Sequence, residues 1–134
     1  MEVTQTNQLI ISKNDHDMLM HYMRTNNMEL KYDKARSQEF LEEIGNARIL
    51  ASSEFPNDVV RLNSKVIIRN TIARQNYNYT LVLPDKADQK SEKVSILAPM
   101  GIALFGAKKG DTISLPSARG KHHYIIMEVV TQVD

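Results

Sequence analysis

The sequence contains no cysteine and no tryptophan. Without thiols the chain has no disulfide, no zinc–thiolate site and no thiol nucleophile, and it fits a reducing compartment. No apolar run approaches the roughly 20 residues that a membrane-spanning helix needs. The N-terminus lacks a basic segment followed by a long apolar core, so a secretory signal is not expected. These absences predict a cytoplasmic protein. A charge of one sign is also missing: the formal net charge is +1, without the basic excess that a phosphate-binding surface usually brings. There is no GxxxxGK[ST] run, which argues against a nucleotide-binding loop or a kinase, and Gly101, Gly106 and Gly110 do not form GxGxxG. His122 and His123 are neighbours on a strand and point to opposite faces. His16 and His21 are five apart on a helix rather than three or four. Ser95, Ser114 and Ser117 have no nucleophile motif around them. No metal, cofactor, small-molecule substrate or catalytic residue is therefore expected.

What is present suffices for one ordinary domain, or for a small domain with an appendage: 134 residues, 42% hydrophobic and 25% charged, a soluble globular composition. Residues 1–50 hold six Lys/Arg against eight Asp/Glu, and residues 51–134 hold eleven against eight. An acidic arm on a slightly basic body suits a protein partner with two differently charged sites. Gln8–Ile11 reads as a short strand or an apolar anchor. Ser12, with Asp15 three residues on, has the form of a capping box. Met18, Leu19, Tyr22 and Met23 recur at helical spacing and predict a first helix over about 13–26, broken at Thr25, Asn26 and Asn27. A second helix is predicted from about 29 to 45, with room to extend to 50. Phe40, Leu41, Ile44 and Ala47 form its stripe; Lys34, Arg36, Glu39, Glu42 and Glu43 form its wet side. Two amphipathic helices joined by a short turn are either a projecting antiparallel hairpin or a layer packed on a sheet. Met18 and Met23 are expected between the helices, with Met20 exposed.

Ser52–Asn57 is the best internal boundary, separating a helical part (1–51) from a second domain (52–134). Beyond it the apolar period changes to two. Val60, Leu62, Val66 and Ile68 fall on one face of a strand interrupted by Ser64; Arg61, Lys65 and Arg69 make a basic row on the other. That row is either a solvated face or a meeting point for an acidic surface. Tyr77, Tyr79, Leu81 and Leu83 mark a second strand. Val94–Leu97, Thr112–Leu115 and His122–Val130 complete a set of five. After the third strand, Ala98 and Pro99 open a short apolar helix, since Pro is tolerated in a first turn whose amides lack partners anyway. Gly110 is expected to end that helix in the left-handed conformation, with Lys108 and Lys109 against the negative end of its dipole. The sum is an α+β unit, an antiparallel sheet covered by one short helix.

The order strand, loop, short apolar helix, strand over Val94–Ile113 resembles the C-terminal domain of the Gre-type transcription elongation factors. Phe55–Asn70 is similar to the opening of the globular domain in the Rnk branch of that family. The likeness covers nearly the whole chain and is most specific over 55–70 and 94–115. It implies an FKBP-like antiparallel sheet domain behind a short N-terminal helical hairpin, a coiled-coil finger. It also implies binding to bacterial RNA polymerase near the rim of the secondary channel. DNA or RNA would then be met only through the polymerase, with no membrane involved. By position, the polymerase-binding loop is Leu97, Ala98, Pro99 and Met100. The family pattern has Ser before this proline, so Ala98 removes a hydroxyl contact. Read by themselves, these residues are either a rigid apolar docking surface or a loop whose Met100 and Ile102 close the core. Burying a side chain such as Met100 against a partner would contribute about 1.5–3 kcal/mol.

Gre cleavage factors carry an Asp-x-x-Glu pair at the finger tip that helps hold a second magnesium ion at the polymerase centre, a task for hard oxygen ligands. Here the tip would be Asn26–Asp33. Glu29 and Asp33 are four apart and share a face if the segment is helical; the residue three after Glu29 is Tyr32, so the spacing departs from the family's. Acids flanking a helix start also suit its dipole. A first helix of about 14 residues spans roughly 21 Å, shorter than the family's finger. The resemblance thus implies a non-enzymatic regulator that occupies the channel entrance without stimulating transcript cleavage. The alternatives are a transcript-cleavage factor and an FKBP-type peptidyl-prolyl isomerase. Isomerases line their pocket with several aromatics, whereas of the three Phe only Phe105 lies in the sheet domain proper.

Overall fold

The computed structural model describes residues 8–25, 34–117 and 120–131, a mixed α+β chain that divides into two units, Met1–Phe55 and Pro56–Asp134.

The first unit runs β1 (Ile10–Ser12), α1 (Lys13–Thr25), α2 (Lys34–Gly45) and β2 (Arg48–Leu50). Ser12 closes the strand and caps the helix: its Oγ accepts from the Asp15 amide at 3.1 Å, satisfying one of the orphan donors of the first turn. Ser12 and Asp15 are both buried. Leu19 lies four residues after Asp15, on the same helix face, and is the buried apolar residue of α1. That corrects the methionine expectation: Met18 is 37% exposed, and Met20 and Met23 are both half-buried. The segment holding Asn26, Asn27, Glu29 and Asp33 lies outside the described residues. In α2, Phe40 and Ile44 stand one turn apart and are buried. The helix does not extend to 50. It stops at Gly45, the Ala47 amide bonds back to the Ile44 carbonyl at 3.2 Å, and the Arg48 amide turns to the Leu9 carbonyl at 2.8 Å. Arg48–Leu50 then pairs parallel with β1, Ile49 opposite Ile11.

The second unit holds β3 (Lys65–Asn70), β4 (Asn76–Val82), β5 (Lys93–Ser95), α3 (Pro99–Leu104), β6 (Thr112–Ser117) and β7 (Gly120–Val130). The sheet order is β5-β4-β3-β7-β6. Three junctions are antiparallel, but β5 lies parallel to β4, Val94 opposite Leu81. The sheet is therefore mixed rather than wholly antiparallel. The short 3-10 turns Pro84–Lys86 and Gln89–Ser91 carry the chain back along the sheet edge before β5 begins. Helix α3 packs on both β5 and β6, the two edge strands. A sheet whose opposite edges share one helix must curl, and Val66, Ile68, Leu81, Ile96, Leu104 and Ile126 fill the space it encloses.

Two local expectations change. The first strand begins at Lys65, not Val60. Asn63 takes a positive φ of 69°, and the Ser64 Oγ accepts from the Arg61 amide at 3.0 Å, so 61–64 is a turn whose Val60 and Leu62 flanks are buried. Arg61 is only 5% exposed, which reduces the basic row to Lys65 and Arg69. Second, α3 ends at Leu104, and the first left-handed glycine after it is Gly106 (φ 82°) rather than Gly110. Lys109 consequently leaves the helix end and pairs with Glu128 at 3.3 Å.

Beyond the apolar core, the same sheet face carries rings. Tyr79 lies opposite Val66, and Tyr77 opposite Ile68. Tyr77 stacks on Tyr79 (centroids 6.5 Å apart) and meets Tyr124 edge-on at 6.3 Å; His122 meets Tyr124 at 6.5 Å. Burial raises the Tyr79 phenol above its usual value of 10.0, helped by Tyr124, Tyr77 and Glu92.

Replacing Ser12 by Ala should lower stability by about 1 kcal/mol, read as a shifted urea midpoint; an unmoved midpoint would deny the cap its role. The Tyr79 phenol holds its proton more tightly folded than unfolded, so its stabilising effect is intact below the usual tyrosine value and is lost as pH rises through the raised one. Urea titrations at successively more alkaline pH should show stability falling less steeply in Tyr79→Phe than in the parent chain.

Candidate docking loop

The loop between β5 and α3 is set by its first residue. The Ser95 Oγ accepts from the Leu97 amide at 3.0 Å. The Ser95 carbonyl accepts from the Ala98 amide at 3.0 Å, and the Ile96 amide donates to Val82 at 2.8 Å. Ser95 is buried, so these bonds are shielded from water. Pro99 opens α3, where its missing amide costs nothing, and the Ile102 amide reaches back to the Ala98 carbonyl at 2.9 Å. One turn in, Gly101 is pressed against the strand end: a Cβ there would stand 1.9 Å from the Ser95 carbonyl oxygen and 2.9 Å from the Ile96 Cα. Only glycine permits that approach. The far end of α3 is tied down as well, by the Gly106 amide to the Val60 carbonyl at 2.9 Å and the Val60 amide to the Ala107 carbonyl at 2.8 Å.

The four expected loop residues are adjacent but do not share a role. Leu97 packs inward, 6% exposed; Ala98 and Met100 are half-buried and Pro99 is exposed. The outward surface is thus Ala98, Pro99 and Met100. It holds no titratable group, so it offers contact area of fixed shape rather than acid–base chemistry. Met100 and Ile102 are both half-buried, so part of each side chain stays exposed. Ser95 has no nucleophile motif around it and carries no chemistry of its own. Its role in shaping the loop was signalled by a small hydroxyl residue just before a strand stop, where such side chains bond nearby amides.

Elsewhere, Ser114 Oγ and His123 Nδ1 approach to 2.8 Å across β6 and β7 on an exposed face. Among the described residues no group of three or more His, Asp or Glu is arranged to hold a metal ion, and no helix is long and apolar enough to cross a membrane.

Residues 55–131 match the family described as transcription elongation factor, GreA/GreB, C-term. The chain belongs to the GreA/GreB family. Among its relatives, transcription elongation factor GreA of Thermotoga sp. (strain RQ2) is 31% identical over 98 residues, covering 73% of this chain and 62% of its own length. The regulator of nucleoside diphosphate kinase of Escherichia coli (strain K12) is 37% identical over 82 residues, 60% of each chain. The chain spans about three-fifths of the length of these curated relatives. In three dimensions it is similar to a GreA/GreB elongation factor from Nitrosomonas europaea, at 31% identity and a TM-score of 0.76, over 94% of this chain and all of the other.

Gly101→Ala should destabilise the chain by about 1–3 kcal/mol, the usual cost of forcing atoms into a packed site. Gly45→Ala, where an added Cβ meets nothing within 4 Å, is the control and should be neutral or slightly stabilising. Equal unfolding midpoints for the two variants would contradict the close packing of Gly101 on Ser95.

Proposed function

We propose that this chain is a non-enzymatic transcription regulator that docks on bacterial RNA polymerase at the rim of the secondary channel, through Ala98, Pro99 and Met100. The observation that carries the reading is the match of residues 55–131 to the family's C-terminal domain. The rigidity of the loop supports it: a surface already held by buried hydrogen bonds loses little freedom on binding. Residues 1–51 and 52–134 serve as separate modules. In the first, α1 and α2 would serve as the legs of a short finger, whose acids by sequence position are Glu29 and Asp33. The 13 residues of α1 span about 20 Å at 1.5 Å each. A finger of that length, with its acids out of the family's spacing, occupies the channel entrance without delivering a second magnesium ion, so transcript cleavage is not stimulated. The FKBP-like resemblance does not extend to isomerase chemistry, because Phe105 is buried in the core instead of lining an open pocket.

Immobilised core polymerase should retain the pure chain, a Gre factor should displace it, and Pro99→Asp should weaken retention at least tenfold, equivalent to about 1.4 kcal/mol. Stalled elongation complexes given the same protein should not shorten their transcripts. Retention indifferent to both the competitor and the substitution would end the docking proposal. Cleavage that disappears in a Glu29→Ala/Asp33→Ala double variant would replace the regulator with a cleavage factor.

A further inference from the structure

The near-neutral charge of the whole chain conceals a local asymmetry. No acidic residue lies between Asp58 and Asp85, and none between Asp111 and Glu128. The first stretch contains the β3–β4 hairpin, and the second contains β6 and β7 as far as Met127. The fold brings their ends together: Asn70 pairs with Tyr124 across β3 and β7, and the Thr71 amide donates to the His123 carbonyl at 3.1 Å. One end of the sheet therefore gathers Arg69, Arg74 and Lys121 with no carboxylate from either hairpin. Glu92, beside Tyr79, marks its inner margin. The same end carries the ring cluster of Tyr77, Tyr79, Tyr124 and His122. The tyrosines are half-buried and His122 is exposed, so the rings are anchored at one side and open at the other. Ile72, at the tip of the β3–β4 turn, is 83% exposed. Arg69, braced by Asn76 at 3.0 Å, and Lys121 leave the opposite face of the strands, while Arg74 leaves the turn between the faces.

We propose that this end of the sheet binds single-stranded nucleic acid, with bases stacked on Tyr124, His122 and Tyr77 and phosphates held by Arg69, Arg74 and Lys121. Cations select a polyanion. Open rings select one whose bases are unpaired, because a duplex offers no free base face. An acidic peptide would satisfy the cations and leave the rings unused. The net charge of +1, which argues against a phosphate-binding surface, averages over the chain what the fold concentrates at one end. The site is also separate from the docking loop. That loop follows β5, whose Ser95 lies opposite Val82, whereas Arg69 and Tyr77 lie toward the Asn76 end of β4, roughly 17–20 Å away along that strand.

Fluorescence anisotropy with labelled 12-nucleotide oligouridylate, oligothymidylate and a duplex of equal length tests the proposal on the full chain. The single strands should bind in low salt and weaken as salt rises, with a log–log slope of roughly −0.7 per phosphate contact. RNA bound as well as or better than DNA supports the proposal. Arg74→Glu/Lys121→Glu should flatten the slope. Tyr124→Leu should weaken binding about tenfold at every salt concentration, and Tyr124→Phe, which keeps the ring, should restore it. That pair separates stacking from misfolding. Absence of binding at about 100 μM protein in low salt would overturn it, because even sequence-independent binding has Kd values of about 10⁻⁴–10⁻⁶ M at physiological salt and tightens as salt falls. So would a duplex bound as tightly as the single strands, or a glutamate 12-mer that competes as well as the oligonucleotides.

Discussion

The contact on which the second unit turns is the approach of Gly101 to the Ser95 carbonyl. It seats α3 against the end of β5, and α3 spans from β5 to β6, so the same contact holds together the two edges of the curled sheet. A side chain at position 101 would push the helix away from the strand end. That would loosen the loop between them, and would open the space filled by Ile96 and Leu104, both fully buried. Core closure and loop shape are in this way one constraint. Ser95 contributes from the other side, since its hydroxyl and its carbonyl fix two consecutive turns of the chain before Pro99 starts the helix.

Much of this was legible in the sequence, because the signals are local. The cap at Ser12, the helix opening at Pro99, the alternation of Tyr77, Tyr79 and Leu81 and the long last strand each depend on residues within one or two turns of each other. What was misread depends on partners far along the chain. Val60 and Leu62 alternate as a strand would, but they are buried because Ser64 folds 61–64 into a turn that bonds to Leu81. Arg48–Leu50 looked like the continuation of a helix, but β1, nearly forty residues earlier, offers it a partner. Nothing within Val94–Leu97 encodes direction, so its pattern fits an antiparallel strand as well as the parallel one that β5 is. The return through Pro84–Ser91 decides it.

The candidate loop was legible as a position and not as a surface. Adjacency put Leu97, Ala98, Pro99 and Met100 together, but which of them faces out depends on how tightly α3 is drawn in. Leu97 is spent on the core, so the outward set is smaller than the sequence suggested and more rigid. Rigidity raises what a small surface can achieve, because the ordering that binding ordinarily demands has been met during folding. A few apolar atoms held by buried hydrogen bonds can then discriminate between partners through shape alone.

Charge was hidden from the sequence reading for a different reason. Counting Lys and Arg against Asp and Glu treats every residue as equally placed, whereas a sheet sorts its hairpins by end. In the second unit Asp85, Asp88, Glu92 and Asp111 all lie in connections, and the sequence between the strands of either hairpin carries no acid. Carboxylates in the connections serve local geometry: Asp88 caps the turn Gln89–Ser91, and Asp111 accepts from the Lys108 amide at 2.9 Å. In the β3–β4 turn a neutral side chain does this work. There the side chain of Asn70 accepts from the Ile72 and Ala73 amides at 2.9 and 2.8 Å, doing with a neutral amide what Asp would do with a charge. The choice of Asn over Asp at that one turn keeps the end of the sheet positive, and it is where backbone geometry and surface electrostatics are set by the same residue.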